Sequence, residues 1–142
     1  MNAKTRDLAL LLPHRPPSVL LDEVLDYGNE HASARLRVHA QSNYFDRQQR
    51  GVPAWVGVEY MAQTLAIWAG DQRLQRGRPV NIALLVAVRQ YRSNVPVFAE
   101  GVELTINATL ILSEDTAAVF DCEIVGQGVF VSARLSAVSP EN

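Results

Sequence analysis

Apolar and polar positions alternate along several stretches of this chain, and these stretches flank one run with almost no polar position. In HASARLRVHA (31–40), Ala32, Ala34, Leu36 and Val38 fall on one side of an extended chain and Ser33, Arg35, Arg37 and His39 on the other. That is the period-two pattern of a half-buried strand. Before it, VLLDEVLDYG from Val19 reads as a strand ending at the Gly28-Asn29 turn pair, so the two predict an antiparallel hairpin. Further on, NIALLVAVRQYRSNV, VELTINATLILSED, TAAVFDCEIVGQG and VFVSARLSAVS read as four more strands. Ser113-Glu114-Asp115 and Gly126-Gln127-Gly128 supply turns between them.

The run without alternation is Gly51–Gly70, GVPAWVGVEYMAQTLAIWAG. It predicts one long central helix over 53–70. Pro53 suits a first turn, Ala, Leu, Met, Glu and Gln favour the interior, and Gly70 suits a left-handed cap. On a helical wheel Glu59 shares its face with Val52, Trp55, Val56, Ala62, Gln63 and Ala66. A helix apolar on every side is a buried one, which leaves Glu59 no solvent face. Burying an isolated carboxylate is costly and calls for a partner or a held proton, and Gln63, one turn on, is the nearest candidate partner. A carboxyl in that position suits general acid or base chemistry; the plain alternative is a core carboxylate satisfied by backbone or by a neighbouring subunit. A membrane span fits poorly, given the early Pro, the central Glu and strand-like sequence elsewhere.

At the N-terminus, LALLL suggests one or two helical turns, which HRPPS ends. QSNYFDRQQR (41–50) has no period and reads as a loop into the central helix, and DQRLQRGRPV places Arg73, Arg76 and Arg78 in a basic turn beyond it. The expected architecture is α+β: an antiparallel sheet of about five to six strands wrapped around the helix, in a single domain over 1–142 with residues 1–18 as an N-terminal segment. A helix apolar all round needs cover beyond one sheet, so a second subunit is expected.

Composition narrows the function. A net charge of −2 gives no pull toward nucleic acid. The lone Cys122 excludes an internal disulfide and fits a reducing compartment. The N-terminal apolar run is too short and too soon broken by Pro for a secretory signal, so the cytoplasm is the expected location. Of the three histidines, His14 reads as structural, His31 as exposed, and His39 stands only a few residues before the loop. No pair has metal-ligand spacing, so neither metal nor cofactor is expected.

Two segments, Leu12-Pro13-His14-Arg15-Pro16-Pro17 leading into VLLDEV, and Pro53 through Gln63, resemble those of the hotdog-fold 3-hydroxyacyl-acyl-carrier-protein dehydratases. The FDRQQRGVPAWVGVEYMAQT stretch is similar to the divergent dehydratase-like subunit of aryl-polyene biosynthesis. The resemblance implies removal of water from 3-hydroxyacyl chains carried on the phosphopantetheine of an acyl carrier protein. It also implies a homodimer, or a heterodimer with a conventional dehydratase. In that family a loop His takes the α-proton and a helix carboxylate protonates the departing hydroxyl. Glu59 matches the carboxylate and Gln63 the Gln after it, but Phe45 stands near the place of the His. Asp46 is then the stand-in base if the chain acts alone, or otherwise a loop carboxylate or helix-entry cap. The resemblance puts Gln63, Phe45, Gly51, Pro53, Ala54 and Trp55 along the substrate, with backbone N–H groups around Gly51 and Ala54 holding the thioester oxygen. Arg47, Arg50, Arg73, Arg76 and Arg78 would together receive an acidic carrier. The rival readings are a non-catalytic acyl-binding subunit of a heterodimer and a hotdog thioesterase.

Overall fold

The computed structural model describes residues 8–12, 18–79, 85–114 and 117–138. His14, the Pro16-Pro17 pair and Asp115 lie outside the described residues. A single helical turn, α1 (Leu8–Leu11), precedes the hairpin of β1 (Glu23–Tyr27) and β2 (His31–Arg37). There follow β3 (Gly51–Pro53), a 3-10 turn (Ala54–Val56), α2 (Gly57–Gln75), β4 (Leu85–Ser93) and β5 (Val97–Ala99). The chain closes with β6 (Glu103–Glu114), β7 (Ala117–Gly126) and β8 (Val129–Val138).

The expected hairpin forms, with the Gly28 N–H donating to the His31 carbonyl at 3.0 Å. Ala32, Ala34, Leu36 and Val38 are buried, as their spacing requires. β1 starts at Glu23 rather than Val19, because the segment before it is drawn onto the helix. The Gln63 amide donates to the Ser18 carbonyl at 2.8 Å and accepts from the Leu20 N–H at 2.9 Å.

Six strands form one antiparallel sheet in the order β1-β2-β6-β7-β8-β4. Its inner face carries the alternate residues Leu104 and Ile106, Phe120 and Ile124, and Val131 and Leu135, all fully buried. They pack on Met61, Leu65 and Ile67 of α2, and Trp68 meets Phe120 edge-on at 5.0 Å. Each such burial contributes about 1.5–3 kcal/mol. Ser113 and Glu114 are strand residues paired with Ala118 and Ala117, not turn residues.

The central helix is shifted along the chain relative to the 53–70 expectation. Gly51–Pro53 pairs with β5 in a separate two-stranded sheet, Pro53 keeps an extended ψ of 141°, and regular helix begins at Gly57. At the other end Gly70 does not cap: it lies inside α2, where the Leu11 carbonyl packs so close that a side chain would collide with it. Helix ends instead at Gln75, with Gly77 in the left-handed conformation (φ 71°) and the Arg78 N–H returning to the Arg73 carbonyl at 2.9 Å.

Two buried titrating groups and a half-buried third give the fold an alkaline limit. Burial, with Asp121 beside it, pushes the Cys122 thiol from 9.0 up to about 12. Burial likewise raises Tyr91 from 10.0 to about 12, and raises Tyr60 further. These groups hold their protons in the folded chain at a pH where the unfolded chain releases them. Stability is therefore expected to be unaffected by them below the unfolded thiol value of 9.0 and to fall as pH rises toward about 12. Urea midpoints across that window test it; in Cys122→Ala the fall should start later, nearer the tyrosine value of 10.0.

Candidate active site at the start of the central helix

Glu59 sits in the first turn of α2, and in the single chain it is exposed. This corrects the expectation that an apolar helix leaves it no solvent face. Two apolar strips run along α2: Tyr60, Met61, Leu65 and Ile67 are buried in the sheet, while Val58 and Ala62 are only half-buried and, with Trp55 just before the helix, border Glu59. Periodicity could not separate a strip covered by the chain's own sheet from one left open. Trp55 is 58% exposed and meets the 53%-exposed Tyr44 edge-on at 5.4 Å.

The Glu59 carboxylate makes no hydrogen bond or ion pair among the described residues. Gln63 is not its partner. That amide is buried and committed to Ser18 and Leu20, so it anchors the N-terminal segment rather than the acid. Gln63→Ala is expected to cost about 1–3 kcal/mol, from the orphaned Leu20 N–H and Ser18 carbonyl. A loss under about 0.5 kcal/mol in urea unfolding would contradict that anchoring role.

The loop before the helix is held by its own backbone. Asp46 exchanges hydrogen bonds with Gly51, N–H to carbonyl at 2.7 Å and 3.2 Å, and its Oδ1 accepts the Gln48 and Gln49 N–H groups at 2.8 and 3.3 Å. Asp46 therefore builds the turn into β3. Phe45 is half-buried and packed against the core. Tyr44 and Arg50 take the left-handed conformation, with φ of 69° and 54°.

Of the backbone N–H groups expected around Gly51 and Ala54 to hold a thioester oxygen, those of Gly51 and Ala54 themselves are spent. Gly51 donates to the Asp46 carbonyl, and Ala54 to the Pro96 carbonyl at 3.0 Å. What fixes the helix start is a residue that sequence reasoning missed, Tyr91 of β4. Its hydroxyl donates to the Ala54 carbonyl at 2.6 Å and presses on Gly57, where a side chain would collide with it. Nothing in a strand pattern distinguishes such a tyrosine from any other core-facing residue.

The other candidates scatter. His31 is exposed and bonded to Asp26 at 3.0 Å. His39 lines a cavity of about 120 Å³ with Tyr60, its Nδ1 accepting the Gln41 N–H at 3.1 Å. The arginines do not form one cluster. Arg47 and Arg50 lie in the loop, Arg50 on Glu100 at 3.2 Å. Arg73 lies in the last turn of a helix about 28 Å long, with Arg76 and Arg78 just past its far end. Among the described residues, no three His, Cys, Asp or Glu gather to hold a metal ion, and no helix is long and apolar enough to cross a membrane.

Comparison with known proteins covers nearly the whole chain. The profile of the ApeP-like family, described as ApeP dehydratase, matches residues 6–142. The structure is similar to one chain of the dehydratase heterocomplex ApeI:P from Xenorhabdus doucetiae, with a TM-score of 0.86 and 29% identity over 95% of this chain and 91% of that one. The sequence is similar to the 3-hydroxyacyl-[acyl-carrier-protein] dehydratase FabZ of Streptococcus pyogenes, 29% identical over 119 residues, 82% of this chain and 83% of that protein. The E. coli PaaI protein shares only the fold, at 16% identity and a TM-score of 0.58 over 81% of this chain and 80% of that one. The architecture is thus the hotdog fold expected from the sequence, a sheet wrapped around one long helix.

Proposed function

Because the chain belongs to the ApeP-like dehydratase family, we propose that it is one half of a mixed dehydratase dimer acting on 3-hydroxyacyl chains tethered to an acyl carrier protein. In this reading Glu59 supplies the acid and the partner subunit supplies the base. Aryl-polyene biosynthesis in the cytoplasm is the setting we assign, supported by the likeness to the ApeI:P heterocomplex.

One observation carries the reading: the chain presents an acid without a base. Among the described residues Glu59 stands unpaired on an open apolar strip, while the loop of residues 41–50 contains no His, Phe45 packs on the core and Asp46 is tied into its turn. The strip adjoins an open sheet edge. Among the described residues β4 has a neighbour on one side only, and its Tyr91 touches the helix start, so a single partner covers β4, Trp55 and Glu59 together.

The base on the partner removes the α-proton of the thioester. The carbon–oxygen bond to the 3-hydroxyl breaks as Glu59 delivers its proton, water leaves, and an enoyl thioester remains. Of the arginines, Arg47 and Arg50 border the site and suit an acidic carrier, a contact that weakens with salt. Arg73, Arg76 and Arg78 are too distant to share that contact.

The test is to purify the chain alone and with a conventional hotdog dehydratase. Loss of water from a hydroxyacyl-carrier substrate is then assayed. Activity is expected only from the pair. Full activity from the isolated chain would overturn the mixed site and return Asp46 as its base.

A further inference from the structure

The open edge of the sheet carries a charge pattern that bears on which partner can sit there. β4 reads LVAVRQYRS, with two arginines and no acidic residue. Arg89 and Arg92 are three apart, so in a regular strand they would face opposite sides of the sheet. A bulge between them, with Gln90 at φ 55°, changes that. Arg89 pairs with Arg134 and Arg92 with Ser132, two residues apart on β8, so both arginines stand on the outer face. The same bulge turns Tyr91 inward to the Ala54 carbonyl.

Among the described residues, the carboxylates nearest these arginines are engaged elsewhere. Arg89 stands directly opposite another arginine, whose own carboxylate, Asp121, is engaged at 2.9 Å. Glu123, the nearest carboxylate in the row of Arg92, accepts the Asn107 amide at 3.1 Å. Among the described residues, Arg89 and Arg92 make no ion pair.

We propose that Arg89 and Arg92 select the partner: they recognise a dehydratase subunit whose own edge strand presents carboxylates to them, and they disfavour pairing of β4 with itself. The inference rests on the mixed-dimer reading and names how that dimer is chosen. In any antiparallel self-pairing, these arginines meet arginines or uncharged residues and never a carboxylate. Like charges opposite one another in a ladder destabilise it, and opposite charges stabilise it. Discrimination between self and partner follows from repulsion in one pair and attraction in the other.

The experiment uses the full chain and its Arg89→Glu/Arg92→Glu double variant, with Arg89→Gln/Arg92→Gln as a milder control, all checked for an unchanged thermal midpoint. Each is titrated against the conventional dehydratase subunit by sedimentation at low and high salt. Charge reversal is expected to weaken that complex about tenfold or more, most at low salt, with the Gln variant intermediate. In a second arm the wild-type chain is mixed with the double Glu variant, and the mixed pair is expected to form more tightly than either self-pair. Equal binding of wild type and double Glu variant to the dehydratase subunit would overturn the proposal. If no dehydratase subunit binds the wild-type chain, the mixed-dimer reading fails. The second arm then decides the arginine effect alone, which a mixed pair no tighter than the wild-type self-pair would refute.

Discussion

Glu59→Gln, assembled with the dehydratase partner, is expected to turn over substrate about 10²- to 10⁴-fold more slowly than the wild-type complex. Gln keeps the shape and a hydrogen-bond donor but has no proton to give to a departing hydroxyl. The loss should fall on kcat with KM little changed, because the proton is delivered in the transition state rather than in the bound substrate. The same variant should leave the isolated chain within about 0.5 kcal/mol of wild type, since Glu59 is an exposed residue with no hydrogen bond or ion pair to lose among the described residues. Single-turnover formation of the enoyl product, measured beside a urea melt, separates the two effects. Unchanged turnover would make the chain a non-catalytic subunit that supports its partner.

Phe98→Ala is expected to cost about 3–5 kcal/mol of folding stability. Phe98 is fully buried, stands opposite Val52 in the β3–β5 pair, and packs on Tyr60 with ring centroids 6.1 Å apart. Truncation leaves a cavity beneath both the short sheet and the first turn of α2. The loop that carries Tyr44 and Asp46 hangs from that sheet through the Asp46–Gly51 bonds. Loosening it should also change the emission of Trp55 in the folded state. Phe98→Leu, which keeps most of the volume, should cost less than about 1.5 kcal/mol. Equal losses in the two variants, or a loss under about 1 kcal/mol for Ala, would show that the short sheet does not depend on that ring.

The contrast between Phe98 and the long strands shows what a pattern can carry. β2, β6, β7 and β8 are long enough for alternation to repeat, so all four read as strands and the inward residues of β2 were legible one by one. β3 and β5 have three residues each, too few to repeat anything, so Gly51-Val52 gives no strand signal and Pro53 reads as the start of the helix. Gly70 misled for a related reason: a glycine marks a cap or a close approach equally well, and here the approaching group is the Leu11 carbonyl, 59 positions earlier in the chain.

The sequence by itself determined the hairpin, the sheet around one helix and the acid at position 59, because each rests on local period or spacing, and its resemblance to the dehydratases added the hotdog name. Only the tertiary structure decided that Glu59 lies open, that Gln63, Gly51 and Ala54 are already committed, and that Tyr91 sets the helix start. Those facts depend on which side of a helix a distant strand covers and which backbone group a distant residue satisfies. Spacing along a chain carries no record of either.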